Sequence, residues 1–452
     1  MNNIIGILRE GLSKKGEKRV AVTPEWAKHI VEWGYKLIVQ PAAHPKTEEI
    51  KRAFSDEEYK NSGAEISEDL SSADVIFGLK EIDIDRILPN KTYLFFSHTH
   101  KGQHKNRTML QTLIENNSTV IDYELIRADH NIRLVTAFTY NAGYAGTVDS
   151  LWTLGKRFKI NGVPNPFELL SQAIEEEHLN KAKESFNLAA EEIKSTGTPE
   201  EFPPIIVCIL GKGKTAEGTR EMFDILPHED ISIEKLKDVY QNGSRKKLYA
   251  LHIDIEEIYR LKKDSQLSGE EYNKLDVKSK WRVYFDHPEF FETNLDIILP
   301  YITVLMNCII WSSKYPRTTT KNLMKKIFRE DKTLQVIGDI TCDPNGSIEF
   351  SKETWIDDPV YIYNPETETI TDGFEGDGIA VMAVTNLPCE FSADASIQFN
   401  SNLALFYKNI VSADYKKSFA DSELAPEIKS AVIMWKGEFT EEFKYMKKFI
   451  GE

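Results

Sequence analysis

An apolar run that passes through two glycines into a helix constrains this sequence more than any other feature. Residues 205–218 read IIVCILGKGKTAEG. The first six form a buried strand, the next six have the spacing G-x-G-x-x-A, and a helical segment follows. This order is typical of the first β–α unit of a doubly wound sheet, whose helix N-terminus receives a pyrophosphate. We expect a dinucleotide-binding domain, the alternative being a turn that serves packing alone. The candidate cofactor-binding residues of the turn are Gly211, Lys212, Gly213 and Lys214.

The first 150 residues alternate short apolar runs with amphipathic helices. Strands are predicted at 4–8, 36–40, 75–79, 93–96 and 119–123. Pro24 begins a helix that Thr23 caps and Gly34 ends. This alternation predicts parallel βαβ units, and 452 residues exceed what one core usually holds, so we expect an α/β protein of two domains. The chain end, 414–449, is predicted to be helical and to return to the first domain.

Composition excludes several classes of protein. The net charge of -15 argues against a nucleic-acid surface. Four cysteines stand far apart with no C-x-x-C pair, which favours free thiols over a zinc site. No apolar run reaches the roughly 20 residues of a membrane span, and no secretory or transit pattern opens the sequence, so we expect a cytoplasmic protein without a membrane partner.

Two protonatable side chains follow neighbouring predicted strands. Lys80 ends VIFGLK, and His98 ends YLFFSH. Because ligands of such sheets bind at the carboxyl ends of the strands, both side chains should reach one crevice. A lysine and a histidine there suit proton transfer at a carbonyl or imine carbon. The alternatives are an ion pair of Lys80 with Glu81 or Glu124 and a histidine that only packs in the core.

Further charged residues are candidates for binding a substrate. Arg19 lies between the first strand and the first helix, where a guanidinium forks well onto a carboxylate. Glu124 follows the 119–123 strand and suits a substrate ammonium, with a plain ion pair as the alternative. Lys101 follows His98 on a polar segment and is either a ligand or a surface cation.

The residue that reads the adenosine ribose decides between NAD and NADP. We place the second strand of the glycine-turn unit near 229–233, so that Ser232 takes the position at its end. A serine there does not repel a 2′-phosphate, which favours NADP with NAD as the alternative. Lys212 and the cluster Arg245, Lys246 and Lys247 offer positive charge, although a solvated surface is the simpler role for that cluster.

Segments along nearly the whole chain resemble one family. They include REG at 9–11, EKRVAVTP at 17–24, GLK at 78–80, IDYE at 121–124, AGYAG at 142–146, GKGKTAEG at 211–218 and TNLPCEF at 385–391. Together they resemble the lysine–ketoglutarate reductase (lysine-forming saccharopine dehydrogenase) family and, more distantly, alanine dehydrogenases and the transhydrogenase alpha subunit.

The resemblance implies two Rossmann-like domains with an interdomain cleft. Residues 1–140 and 386–452 would form the substrate domain, and 141–385 the dinucleotide-binding domain. The implied reaction is the NADPH-dependent condensation of L-lysine with 2-oxoglutarate to saccharopine, by a monofunctional enzyme. The partners would be these small molecules, with a monomer and a homo-oligomer both open.

The resemblance also implies roles for single residues. Lys80 and His98 match the acid/base pair, and Arg19 matches a carboxylate-binding arginine. Asn307 and Asp339 match segments that flank the nicotinamide ribose, with a helix or turn cap as the alternative role for each.

Two positions depart from the family pattern. Relatives carry an arginine where Leu134 stands, so the neighbouring Arg133 is the candidate instead, on the opposite face of a strand. Relatives also carry an aromatic residue where Asn141 stands. The amino-acid and keto-acid partners therefore stay open, and so do alanine dehydrogenase-like chemistry and a catalytically silent dinucleotide-binding protein.

Overall fold

The computed structural model describes residues 4–128, 132–330 and 332–451. Its strands are β1 Ile4–Ile7, β2 Lys36–Val39, β3 Glu65–Ile66, β4 Val75–Phe77, β5 Thr92–Phe95, β6 Thr119–Asp122, β7 Arg127–Ala128, β8 Ile132–Arg133, β9 Ile206–Leu210, β10 His228–Asp230, β11 Leu248–Ile253, β12 Tyr259–Leu261, β13 Phe291–Thr293, β14 Val304–Asn307, β15 Val336–Gly338, β16 Val360–Asn364, β17 Thr369–Asp372, β18 Ile379–Met382, β19 Val432–Trp435 and β20 Glu438–Phe439. Its α-helices are α1 Pro24–Glu32, α2 Asp56–Asn61, α3 Arg107–Glu115, α4 Ala137–Ile160, α5 Ala173–Glu176, α6 Leu179–Ser195, α7 Lys214–Phe223, α8 Leu236–Asn242, α9 Ile255–Ile258, α10 Gly269–Asn273, α11 Val277–Asp286, α12 Lys321–Glu330, α13 Ser392–Leu403, α14 Tyr407–Ser412 and α15 Pro426–Lys429.

The chain forms two compact units. One comprises Met1–Phe138 with Ser392–Glu452, and the other comprises Thr139–Phe391. Which unit holds a substrate and which a cofactor stays a prediction. Among the described residues, no helix combines the length and the apolar character that a bilayer span requires.

The sheet of the first unit has the strand order β20-β19-β6-β5-β4-β1-β2-β3. Strands β1 to β6 are parallel, and their side chains are largely buried. The predicted α/β alternation is confirmed for this part. The order reverses between β1 and β4, and such a switch point is where doubly wound sheets open a crevice at the carboxyl edge.

The chain end adds strands to this sheet, and the expectation that 414–449 is helical is wrong for its centre. β19 pairs antiparallel with β6, and β20 pairs antiparallel with β19. Lys436 and Gly437 between them have φ of 50° and 79°. Two residues with positive φ close a two-residue hairpin. The dipeptide Lys-Gly between VIMW and EF was the sequence signal for this turn.

The sheet of the second unit has the strand order β10-β11-β9-β14-β15-β18-β16-β17. The strands from β10 to β18 in this order are parallel, while β16 and β17 extend the sheet in antiparallel fashion. The sheet therefore has a second doubly wound core. The strand that follows α7 in the chain, β10, is not the neighbour of β9, because β11 lies between them.

Glycines let helices α4 and α7 approach each other within the second unit. A Cβ on Gly143 would lie 2.2 Å from the carbonyl oxygen of Thr215, and one on Gly218 would lie 2.4 Å from that of Tyr140. The AGYAG and GKGKTAEG segments thus meet backbone to backbone. This contact fixes the helix that follows the glycine turn.

We expect Gly218→Ala to lower the free energy of unfolding by about 1–3 kcal/mol, as overpacking usually does. The clash with a backbone oxygen outweighs the helix propensity that alanine adds, about 1 kcal/mol. Urea unfolding monitored by circular dichroism measures the difference. Gly269→Ala is the matched control, because nothing lies within 4 Å of its Cβ position. Equal stability of both variants would contradict the close approach of the helices.

A buried carboxyl pair lies elsewhere in the second unit. Asp149 accepts a hydrogen bond from the amide of Ala173 at 2.8 Å, and Glu390 accepts one from Ile174 at 3.1 Å. Asp149 Oδ2 and Glu390 Oε1 are buried, and no donor among the described residues reaches them. Burial raises the pKa of Asp149 to about 7 and that of Glu390 well above its ordinary value. A proton shared between the two carboxyl groups satisfies both oxygens.

We expect Glu390→Gln to stabilise the protein at pH 8 by up to about 3 kcal/mol relative to wild type, since two raised pKa values make ionisation costly. In the wild type, the stability that the protonated pair contributes is fully present below the ordinary carboxyl pKa. It is lost as pH rises through the raised pKa of the folded state. The two proteins should therefore converge, or exchange order, at pH 5. Urea unfolding at both pH values measures this, and a difference that does not depend on pH would contradict the shared proton.

Candidate functional site

The first unit places Lys80 and His98 at the carboxyl edge of its sheet. β4 and β5 are parallel neighbours, with Phe77 opposite Leu94. Lys80 lies three residues beyond β4, and His98 lies three residues beyond β5. The two residues predicted from separate strand ends therefore leave the same edge from adjacent strands.

Glu81 holds the His98 imidazole. His98 Nδ1 lies 2.8 Å from Glu81 Oε1, and Lys14 Nζ lies 2.6 Å from Glu81 Oε2. Burial opposes ionisation of Glu81, yet hydrogen bonds from His98 and Lys14 bring its pKa below the ordinary range. Because an ionised carboxylate only accepts, Nδ1 carries the proton of a neutral imidazole, and Nε2 is left to exchange one.

The backbone of His98 also points to function. Its φ of 50° lies in the left-handed region, which costs a residue with a Cβ about 1 kcal/mol or more. The ring stacks on Phe96, with centroids 6.3 Å apart and planes inclined by 20°. Strain of this kind clusters at active sites, where the surrounding structure holds the side chain in place.

The Lys80 ammonium is uncommitted. The residue is half-buried, and within 4–128, 132–330 and 332–451 its ammonium makes no hydrogen bond or ion pair. The alternative ion pair with Glu81 or Glu124 is wrong, because those carboxylates bind other cations. A half-buried lysine without a partner is poised to meet a ligand.

Arg19 is buried and pairs with Glu17. It is 2% exposed, and its Nε and Nη2 donate to the two carboxylate oxygens of Glu17 at 2.8 and 2.6 Å. The guanidinium also lies 4.2 Å from the Phe138 ring centroid. Glu17, only two residues away, binds the Nε and Nη2 donors, and a contact of Arg19 with a substrate carboxylate stays a prediction.

Glu124 forms ion pairs with two other predicted substrate-binding residues, Lys101 and Arg133. Lys101 donates to Glu124 Oε1 at 2.8 Å, and Arg133 donates to the same oxygen at 2.5 Å. Burial alone would raise the pKa of Glu124, but Lys101 and Arg133 bring it below its ordinary value. Leu134 packs against the core while Arg133 is exposed. The structure therefore brings Lys101, Glu124 and Arg133 together as one ionic cluster.

The glycine turn lies at the carboxyl end of β9 in the second unit. Gly211 has a φ of 91°, and a Cβ on it would lie 2.8 Å from Ile309 Cγ2. Its amide donates to the Ile253 carbonyl at 2.8 Å, and its carbonyl accepts from His252 Nε2 at 2.7 Å. Gly213 has no atom within 4 Å of its Cβ position. The turn is held on one side and open on the other, which fits a pyrophosphate at the start of α7.

The two lysines of the turn differ. The Lys214 ammonium bonds Glu217 at 2.9 Å and the hydroxyl of Tyr140 at 3.1 Å. Lys212 is exposed, and no hydrogen bond or ion pair of its ammonium occurs in the described part of the chain. Lys212 is therefore the better placed cation for a phosphate.

Ser232 does not follow the strand that lies beside β9. It follows β10, whereas the neighbour of β9 is β11, in register from Tyr249 opposite Ile206 to Ile253 opposite Leu210. Asp254 comes directly after β11 and is 5% exposed. One of its oxygens accepts from the Ile255 amide at 2.8 Å. The expectation that 229–233 forms the strand next to β9 is wrong, because chain order and sheet order differ here.

The basic cluster also lies away from the turn. Arg245, Lys246 and Lys247 precede β11, at its amino end, while the glycine turn lies at the carboxyl ends of the parallel strands. Arg245 donates to the carbonyl of Pro199 at 2.5 Å, and Lys247 pairs with Glu229 at 2.6 Å. These residues do not supply charge to a 2′-phosphate.

Asn307 and Asp339 end or follow the next two strands, β14 and β15. Asn307 Nδ2 donates to Asp339 Oδ1 at 2.8 Å and to Ser347 at 2.9 Å. Burial raises the pKa of Asp339 to about 6. Asn307 Oδ1 is buried, and no donor among the described residues reaches it. With the open side of Gly213 and the carboxylate of Asp254, this orphaned acceptor fits a nicotinamide dinucleotide along the edge.

Sequence reasoning missed several residues of these two edges. Glu81, Lys14 and Glu17 act as partners of predicted residues, and Asp254, not Ser232, follows the strand beside β9. Glu10, which follows β1, holds the backbone at Lys80. The signals were present as single charged residues next to strand ends, but their partners are set by contacts between distant segments.

Known proteins match this chain along its length. Residues 6–145 match the family model described as the N-terminal domain of alanine dehydrogenase/PNT. The chain is 34% identical to alpha-aminoadipic semialdehyde synthase of Arabidopsis thaliana, covering 99% of this chain and 41% of that protein. It is 30% identical to the mitochondrial enzyme of that name from Bos taurus, covering 96% and 46%. The chain thus spans less than half the length of these relatives.

A solved structure shares the fold. An L-alanine dehydrogenase superposes with a TM-score of 0.60 and 14% identity, covering 99% of this chain and all of that one. The two largely parallel sheets and the glycine turn define an α/β fold with two doubly wound sheets. The resemblance to the lysine–ketoglutarate reductase family within the wider alanine dehydrogenase/transhydrogenase group is confirmed.

Proposed function

We propose that this chain catalyses the reductive condensation of L-lysine with 2-oxoglutarate to saccharopine. The observation that carries the proposal is the pair of an uncommitted Lys80 ammonium and a Glu81-held His98 on adjacent strand ends. The names of matching relatives support the proposal, since alpha-aminoadipic semialdehyde synthase and lysine-forming saccharopine dehydrogenase both match this chain.

The condensation needs three proton transfers, and the two side chains suit the first and the last. His98 Nε2 accepts a proton from the lysine ε-ammonium, so that the free amine attacks the keto carbon. A proton then moves from the attacking nitrogen to the keto oxygen, which gives the carbinolamine. The Lys80 ammonium donates a proton to the carbinolamine hydroxyl, which leaves as water. A bound nicotinamide supplies the hydride for the resulting protonated imine. The held tautomer of His98 keeps one ring nitrogen free for this exchange.

The proposed cofactor is NADH, in place of the NADP favoured by Ser232. Asp254 lies where a carboxylate accepts from the ribose hydroxyls, and Glu256 and Glu257 follow it. Three carboxylates near one site repel a 2′-phosphate. Lys212 at the turn then serves the pyrophosphate.

Absorbance of the reduced nicotinamide tests the function. Purified protein receives NADH or NADPH with lysine plus 2-oxoglutarate, with pyruvate plus ammonia, or with one substrate alone. Oxidation only with the first pair, and saccharopine identified by mass spectrometry, is the expected result. Turnover of pyruvate and ammonia would establish alanine dehydrogenase-like chemistry instead, and a silent protein that still binds NADH would reject catalysis.

A further inference from the structure

Glu10 lies at the exit of β1 and reaches across to the exit of the neighbouring β4. It is 4% exposed. Its Oε1 accepts from the Leu79 amide at 3.0 Å, and its Oε2 accepts from the Lys80 amide at 3.2 Å. One carboxyl group therefore serves two consecutive backbone amides that have left the strand ladder.

This contact determines how the Lys80 backbone leaves the sheet. The Leu79 amide is buried and the Lys80 amide is partly buried, so loss of the acceptor for either one is unfavourable. The Leu79 carbonyl accepts from the Phe96 amide at 2.8 Å, which ties the same segment to the exit of β5. Glu10 acts through the backbone, because the Lys80 ammonium makes no hydrogen bond or ion pair within the described residues.

Charged groups on several elements face Glu10. Burial and then the charge of Glu17 raise its pKa to about 7, while Arg86 and the two amides oppose this. Glu10 in turn contributes to raising the pKa of the buried Tyr123 hydroxyl. An ionised Glu10 accepts from both amides, whereas a protonated one presents a hydroxyl to one of them. The grip on the segment is therefore weaker below neutral pH.

We propose that Glu10 is a positioning residue for Lys80, whose carboxyl group orients the lysine side chain by holding the amides of residues 79 and 80. The assignment rests on the role proposed for Lys80. Under this proposal, the reactivity of the Lys80 amine depends on the protonation of Glu10, a buried carboxyl group that the amine does not contact.

Chemical labelling of Lys80 tests the proposal without turnover. The acetylation rate of Lys80 is measured by peptide mass spectrometry between pH 5.5 and 9, in wild type and in Glu10→Gln. We expect the wild-type profile to contain a step near pH 7, set by Glu10, besides the ionisation of the amine. Glu10→Gln should lack that step. Glu390→Gln, which removes another buried carboxyl with a raised pKa, is the matched control and should keep it.

Kinetics add a second readout. Glu10→Gln should lower kcat by about tenfold and change KM by less than about twofold, as a misplaced acid/base group does. Its stability relative to wild type should rise as pH rises toward and past 7, because the raised pKa makes the wild-type carboxylate costly there and that cost vanishes at low pH. A structural role alone would lower activity and stability together.

The outcomes separate this proposal from the proposed function. A wild-type Lys80 profile without a step near pH 7 overturns the role of Glu10 even if Glu10→Gln does not fold. Identical profiles in wild type and Glu10→Gln overturn it as well. If wild type turns over no substrate pair, the proposed function fails, and the labelling result still decides whether Glu10 orients Lys80.

Discussion

We expect Lys80→Met to lower kcat for the proposed reaction of lysine with 2-oxoglutarate by about 100-fold or more, the usual loss when an acid/base group is removed. In the proposed mechanism, Lys80 is the residue that donates a proton to the leaving hydroxyl. Methionine keeps the length and the apolar stem of the side chain, so packing beside β4 should survive. Steady-state rates with NADH as the varied reductant measure the effect.

The control for this variant is Lys105→Met. Lys105 is an exposed lysine on the same polar segment as His98, outside the proposed site. Its removal should leave kcat within about twofold, as surface substitutions usually do. NADH binding, followed by nicotinamide fluorescence, should be the same in both variants. An unchanged kcat in Lys80→Met would remove Lys80 from the mechanism.

The second large effect concerns the cofactor. Wild type should prefer NADH over NADPH in kcat/KM by at least about tenfold, and Asp254→Ser should raise kcat/KM with NADPH by about tenfold while lowering that with NADH. One lost repulsion or one lost charge-assisted hydrogen bond, worth about 1.5–3 kcal/mol, accounts for such changes. Steady-state kinetics with each cofactor at saturating lysine and 2-oxoglutarate measure the preference.

Ser232→Asp is the matched control for Asp254→Ser. Ser232 is exposed at the start of a short 3₁₀ helix after β10, a position that aspartate also caps well. It should leave the cofactor preference unchanged. A shift toward NADH in Ser232→Asp, with none in Asp254→Ser, would return the ribose position to Ser232 and contradict the strand order.

Sequence reasoning predicted the candidate site unevenly. Lys80 and His98 were predicted because each comes shortly after a buried strand, and a few neighbouring residues are enough to predict where a strand ends. The partners were not found. Glu81 holds His98 across 17 residues, and Glu10 holds the amide of Lys80 across 70. Arg19 pairs with Glu17, only two residues away. The burial of Arg19, which keeps its guanidinium on Glu17, is not a local property of the sequence.

The same contrast appears in the fold. The hairpin of β19 and β20 carried its signal in Lys436 and Gly437, yet the charged residues around it favoured a helical interpretation. Its antiparallel pairing with β6 joins segments more than 300 residues apart. Burial against the first sheet outweighs the helical composition of its flanks.

By itself, the sequence determined the β–α alternation, the glycine turn after β9 and the two protonatable residues at strand ends, because these depend on periodicity and on the conformations that neighbouring residues allow. Only the tertiary structure decided which strand lies beside β9, and with it whether Ser232 or Asp254 follows that neighbouring strand. β10 follows β9 in the chain but lies at the edge of the sheet, where its polar and partly exposed residues are tolerated. The choice is made by packing across the sheet, which no local stretch of the chain contains.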